Sequence, residues 1–179
     1  VLRVVLAVEL VVAVNLPSRA FERFDLVEQV REAAQSAGLP ARALQLEITE
    51  TGLMRNLDQV IPVLHRLTQA GIEIAIDDFG TGYSSLAYLT QLPIRELKID
   101  RSFVCHLGER EQSTAVVTAV VALARSLRLR VVAEGVETDL QEQVLRGLGC
   151  DTLQGRRFAH PMPADEVVRW LRRRAGRGV

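Results

Sequence analysis

Six acidic side chains, two amides and one lysine stand where apolar runs of this sequence give way to polar residues. Asn15 follows ELVVAV, and Glu47 and Glu50 close the run that contains ALQLEI. Asp77 and Asp78 close IEIAI, Lys98 and Asp100 end RELKI, Glu134 follows RVVA, and Gln154 follows CDTL. Gathered together, these groups make an oxygen-rich site, and oxygen ligands suit Mg²⁺ and Mn²⁺. His65, His106 and His160 lie outside the runs, so a histidine-based zinc site is not expected. Asp77 and Asp78 would repel each other if both were buried and ionised, and a divalent cation relieves that repulsion. An aspartate can also bridge two metals about 4 Å apart, the arrangement that hydrolyses phosphodiesters by in-line attack. The residue types therefore point to metal-assisted phosphoester chemistry. Asp100 follows Lys98 by two positions, so it is expected on the same strand face, orienting the lysine. The segment FGTGYSS (79–85) contains Gly80, Thr81 and Gly82. GTG alone fits a plain strand-to-helix turn; beside the two aspartates it is expected to be a mobile loop that shapes the site.

The elements that must position these groups alternate between two periods. Short apolar runs predict strands at about 9–14, 43–48, 72–76, 95–99, 130–133 and 150–153. Three- and four-residue spacing predicts helices between them. Residues 22–37 carry Phe24, Val27, Val30, Ala34 and Ala37, and residues 57–70 carry Val60, Val63, Leu64 and Leu67. Further helices are expected at 84–91, 111–127, 138–147 and 164–174. Gly38 with Pro40, Gly71 and Pro163 mark helix ends. A β-α-β-α rhythm means parallel strands with helical crossovers, in an open doubly wound sheet or a closed barrel. In either case all the strand ends lie on one face. No glycine-rich phosphate loop follows the first strand, so nothing supports a nucleotide-binding open sheet.

Composition sets the outer limits. The chain of 179 residues is long enough for one domain with a real core, and 48% hydrophobic with 25% charged residues is globular rather than disordered. Lys+Arg and Asp+Glu are both 22, so the net charge is zero and general nucleic-acid binding is not expected. Cys105 and Cys150 form no metal or disulfide pattern and are expected as buried free thiols in a reducing cytosol. The apolar opening, interrupted by Arg3 and Glu9, is shorter than the roughly 20 residues of a membrane span. Residues 1–8 are expected to be an irregular lead-in, and 175–179 a tail. A sequence opening at Val1 rather than methionine is expected to be part of a longer chain or a processed one.

At the residues named above the sequence resembles the EAL domain family, bacterial phosphodiesterases of the second messenger cyclic di-GMP. The matching stretches are VNLPSRAF (14–21), LEITET (46–51), IDDFGTGYSSLAYLTQLPIRELKIDRSFV (76–104), VVAEGVET (131–138) and DTLQGRRFAHPMPADEV (151–167). The resemblance implies a TIM-like (β/α) barrel, a two-metal site with Mg²⁺ or Mn²⁺, and hydrolysis of cyclic di-GMP to linear pGpG. By the same resemblance Asn15, Glu47 and Asp77 match metal ligands, with Asp77 bridging. Asp78 matches a ligand of the second metal, and Gln154 a residue of the metal and water shell. Lys98 and Glu134 match the pair that holds and activates the attacking water; a lysine beside two cations should have a lowered pKa. Glu50 matches the anchor of the 79–85 loop. Helix 84–91 and its loop resemble the family's homodimer contact.

The departures shape a second expectation. The family's Glu-Ala-Leu segment, on its first barrel strand, has no match here. A TIM barrel takes about 250 residues, and at about 30 residues per βα unit this chain makes about six units. The barrel is therefore expected to be incomplete at its N-terminal side and one metal ligand short. Two functions stay open: a cyclic di-GMP phosphodiesterase, or a catalytically impaired receptor or protein-interaction module. Arg156 and Arg157 stand where the family more usually has an aromatic or aliphatic residue. Arg156 meets a phosphate or is surface charge, and surface charge is the favoured reading.

Overall fold

The structure, a computed structural model, describes residues 10–54, 56–82 and 86–175. Six strands lie in one sheet in chain order: β1 (Val12–Asn15), β2 (Leu44–Thr49), β3 (Glu73–Phe79), β4 (Glu96–Ile99), β5 (Arg130–Ala133) and β6 (Thr152–Leu153). Every neighbouring pair is parallel. The helices are α1 (Leu26–Ser36), α2 (Glu50–Met54), α3 (Leu57–Gln69), α4 (Leu86–Leu89), α5 (Arg101–Val104), α6 (Glu111–Ser126), α7 (Asp139–Leu148) and α8 (Ala164–Ala175). A doubly wound sheet reverses its strand order at a switch point; here the order never reverses, and the sheet forms a half-barrel of the TIM-like type. The expected lead-in at 1–8 and the last four residues of the expected tail lie outside the described residues.

The strands divide their two faces by chemistry. Leu44, Leu46 and Ile48 of β2, Ile74 and Ile76 of β3, Leu97 and Ile99 of β4, and Val131 and Ala133 of β5 join the main apolar core. That core also takes in Val60, Leu64 and Leu67 of α3 and Val117, Val120, Val121 and Ala124 of α6. The alternate residues carry the polar groups, among them the buried Gln45, Glu47, Asp77, Glu96 and Lys98. Parallel strands buried on both faces normally read as unbroken apolar runs. Here the inner face carries these polar groups beside the buried Ala75 and Val132, and the helices named above pack on the outer, apolar face.

The predicted elements shift at their edges for local reasons. The helix expected at 22–37 starts at Leu26, after a short 3₁₀ turn at Ser18–Glu22. Phe24 therefore lies outside the helix and is fully exposed rather than in the core. Asp25 stands at the N-cap position but makes no side-chain bond to the helix backbone, accepting the Gln29 side-chain amide at 2.6 Å instead. The helix expected at 84–91 is the single turn Leu86–Leu89, and residues 83–85 lie outside the described residues. Helices α2 and α5 follow β2 and β4 directly and are too short to show a period.

Candidate active site

The end of β3 leaves regular pairing. Successive strand residues point to opposite faces, so a regular strand could not aim both Asp77 and Asp78 into the interior. The β3–β4 register shifts between Ile76 and Phe79, and Asp78 has a φ of 54°. Aspartate is among the few side chains that tolerate this left-handed region. The Asp78 N–H donates to Asp77 Oδ1 at 3.1 Å. Carboxylate oxygens of Asp77, Asp78 and Glu134 thereby lie within 4.8 Å of one another.

Lys98 stands at the centre of the acids. Its Nζ is 2.6 Å from Glu134 Oε1, 2.8 Å from Glu47 Oε1 and 3.1 Å from Asp77 Oδ1. Four different strands or strand ends supply these groups, and Lys98 itself is only 4% exposed. Burial pulls the Lys98 ammonium down, but hydrogen bonds to Glu134 and Glu47 and the charges of Glu134 and Asp77 outweigh it, holding its pKa above the ordinary lysine value. The lowering expected of a lysine beside two cations is thus the reverse of the balance within the protein alone. Burial raises the Glu134 carboxyl, and the Lys98 contact offsets that only in part. Asp78 is raised as well, first by burial and then by the charges of Asp77 and Asp100.

Asp100 is placed differently from the expectation. Strand β4 ends at Ile99, so the alternation that would carry residue 100 to the lysine's face stops one residue early. Asp100 becomes the N-cap of α5 and accepts the Ser102 N–H at 3.0 Å. Burial pushes its pKa up, but hydrogen bonds from Ser102 and Arg101 and one shared with Asp78 bring it below the usual value. Its contact with the cluster is through Asp78, not Lys98.

The remaining predicted residues surround the cluster. Glu50 is buried at the start of α2, and its Oε2 accepts the Gly80 N–H at 2.7 Å. A Cβ on Gly82 would meet Glu50 Oε1 at 2.7 Å, so the loop can close on that carboxylate only with glycine there. Thr81 Oγ1 donates to the Asp78 carbonyl at 2.8 Å. Asn15 is exposed at the end of β1, in register with Glu47. Gln154 follows β6; its N–H donates to the Ala133 carbonyl at 2.9 Å and its carbonyl accepts the Val136 N–H at 3.0 Å. Asn15 and Gln154 thus flank the cluster from the two outer strands. The donor set is almost purely oxygen, which fits hard divalent cations.

Below this cluster lies a second polar set that the sequence reading missed. Gln45 donates to Glu96 Oε1 at 3.1 Å, Arg130 Nε donates to Glu96 Oε2 at 3.2 Å, and Arg130 also pairs with Glu73. Gln45 and Glu96 precede Glu47 and Lys98 by two residues. Polar groups repeating at that interval inside a strand were the signal available.

Comparison with known proteins follows the same residues. The EAL domain family model matches residues 4–161. The chain is 47% identical over 161 residues to the cyclic di-GMP phosphodiesterase NbdA of Pseudomonas aeruginosa, a match that covers 90% of this chain and 21% of that protein. The chain thus spans about a fifth of the length of this curated relative. The structure of the PaMucR phosphodiesterase in complex with c-di-GMP superposes with a TM-score of 0.84 at 47% identity, over 88% of this chain and 64% of that one. A manganese and cyclic di-GMP complex of BlrP1 from Klebsiella pneumoniae gives 0.82 at 34% identity, over 89% and 41%. A half-barrel with carboxylates and a buried lysine at its rim, matched over most of its length in both sequence and shape, belongs to the EAL domain family.

Proposed function

We propose that this chain carries out metal-dependent hydrolysis of cyclic di-GMP to linear pGpG. The observation that carries the reading is Lys98 held within 3.1 Å of Glu47, Asp77 and Glu134, with Asp78 in the same carboxylate cluster. Asn15, Glu47, Asp77 and Asp78 would hold two Mg²⁺ or Mn²⁺ ions, with Gln154 in the surrounding shell. Bound there, divalent ions polarise a phosphodiester and lower the pKa of water. Lys98 and Glu134, in direct contact at 2.6 Å, would face the attacking water together, and Glu134 would take its proton. The water oxygen bonds to phosphorus as the P–O3′ ester bond opens, and the leaving 3′-oxygen takes up a proton to become the free hydroxyl of pGpG, Glu134 giving up to solvent the one it received. Glu50 fixes the 80–82 loop through the Gly80 N–H beside this position.

No helix among the described residues is long and apolar enough to cross a membrane; both cysteines are free thiols, Cys105 exposed and Cys150 half-buried rather than buried as expected, and free thiols fit a cytoplasmic setting. A homodimer through α4 would cover the exposed Tyr88; a monomeric mass by light scattering at high concentration overturns it.

The test of function is incubation with cyclic di-GMP and Mn²⁺ or Mg²⁺, followed by chromatography for pGpG. Turnover by the chain, abolished by Asp77→Asn, supports the enzyme. Tight binding without turnover transfers the assignment to a receptor.

A further inference from the structure

A second charged group sits on the same rim, beyond the carboxylates. Arg101 begins α5 directly after Asp100, and Arg156 follows the end of β6. The two guanidiniums come from different loops, yet each lies 3.7 Å from the same atom, Glu137 Oε1. That distance is too long for a hydrogen bond. Among the described residues both guanidiniums keep their donors uncommitted, and their side chains are 62% and 61% exposed.

The convergence is built in. A Cβ on Gly135 would meet Arg101 Cγ at 2.4 Å, so the stem of Arg101 lies across that glycine. A Cβ on Gly155 would meet the Val136 carbonyl oxygen at 2.2 Å, which seats the Arg156 loop on the strand β5 loop. The Glu137 N–H is pinned by Gln141 Oε1 at 2.8 Å. Arg157, the neighbour of Arg156, is tied outward to Asp139 at 2.6 Å and to Glu142 at 3.6 Å. Of the pair, Arg156 is the one left without a side-chain hydrogen bond among the described residues.

Charge gives these arginines a task. The site's acids are Glu47, Asp77, Asp78, Asp100 and Glu134 against the single Lys98, so the cluster itself repels an anion. Cyclic di-GMP carries two phosphodiesters, and only one can lie at the carboxylates with their ions. Glu137 is three residues from Glu134, so their backbones are at most about 11 Å apart. Arg101 directly follows Asp100, which is hydrogen-bonded to Asp78, and Arg156 lies two residues after Gln154, so both arginines stand on the rim that carries the reacting centre, and planar guanidiniums bind phosphate oxygens with paired donors. Resting on the function proposed above, we propose that Arg101 and Arg156 form a clamp for the phosphodiester of the substrate that is not being cleaved. Glu137 holds the two guanidiniums together until that phosphate arrives.

Calorimetric titration with cyclic di-GMP in CaCl₂ tests it, with 5′-GMP, which has one phosphate, as the control ligand. The wild-type chain is compared with Arg156→Ala and Arg156→Lys, and circular dichroism checks that each variant is folded. Arg156→Ala should weaken cyclic di-GMP binding about tenfold, the scale of one lost charge-assisted contact. Arg156→Lys should fall between, and all three should bind 5′-GMP alike. Unchanged cyclic di-GMP affinity in Arg156→Ala, or an equal loss for 5′-GMP, overturns the clamp and leaves the site reading standing. Failure of the wild-type chain to bind cyclic di-GMP overturns both.

Discussion

Replacing Lys98 with methionine tests the electrostatics of the cluster without touching a carboxylate. The ammonium makes three contacts of 2.6, 2.8 and 3.1 Å from a position almost closed to solvent. At an effective dielectric near 20, each contact carries about 5–6 kcal/mol of attraction. Desolvation of the lysine and repulsion among the acids offset most of that. What remains after one partner of a buried ion pair is removed is about 3–5 kcal/mol. For a chain of this size each kcal/mol moves the melting temperature by about 2–4 °C. Lys98→Met should therefore melt about 6–20 °C below the wild type in buffer with a chelator. Saturating MnCl₂ should return most of the loss, because divalent charge replaces the missing ammonium among the same oxygens. The wild type should gain less from the same addition. Differential scanning calorimetry of both proteins with and without Mn²⁺ gives the four numbers needed. Equal melting temperatures in chelator, or equal gains from Mn²⁺, would refute the idea that Lys98 neutralises the acids of a metal site.

Other outcomes follow from single contacts. Asp78→Asn keeps a side chain that tolerates φ of 54°, so its melting temperature should stay close to wild type while Mn²⁺ stoichiometry, measured by calorimetric titration, drops. Burial first, with neighbouring acids after it, raises Asp78, and burial raises Glu134. Protons on Asp78 should then compete with Mn²⁺, its affinity falling as pH drops through the raised range; a flat profile counts against Asp78 as a ligand. Arg130→Met leaves buried Glu96 without its cation. Because Arg130 is half-exposed, the expected loss is about 2 kcal/mol by urea unfolding. The Glu96 pKa is already raised by burial, and a raised carboxyl contributes stability at low pH that is lost as pH climbs through its folded value. The deficit of Arg130→Met should accordingly shrink on acidification, and adding Glu96→Gln should remove most of it at neutral pH. Gly82→Ala places a methyl 2.7 Å from Glu50 Oε1, so it should loosen the 80–82 loop and lower turnover about tenfold or more, with little change in melting temperature.

Much of this architecture was legible because strands and crossovers write different periods. All six strands lie within a few residues of their predicted runs, and the long helices α3, α6 and α7 within one or two. The strand ends Glu47, Asp77, Lys98 and Glu134 could be named because a parallel sheet brings its C-terminal ends to one rim. Other features depended on backbone detail that residue types do not carry. The pairing shift and positive φ at Asp78 decide that two consecutive carboxylates face the same way, and no spacing rule reveals that. Asp100 reads as the next inward residue after Lys98 by alternation alone; the strand stops at Ile99 and the side chain caps a helix instead. Phe24 fits a helical stripe by position, yet the helix starts only at Leu26. Arg130 is only the first residue of the RVVA run in the sequence, and its contacts with Glu73 and Glu96 are what reveal the lower polar set.

The division of each strand between an oily side and an ionic side has a consequence for how such a sequence can drift. Outward residues such as Leu46, Ile48 and Leu97 answer to shape, so one can be exchanged for another aliphatic at modest cost, independently of distant positions. Inward residues answer to electroneutrality, and a change at Glu96 is tolerable only if Arg130 or Glu73 changes with it. Variation on the outside should accumulate one substitution at a time, whereas variation on the inside should arrive in compensating pairs across adjacent strands.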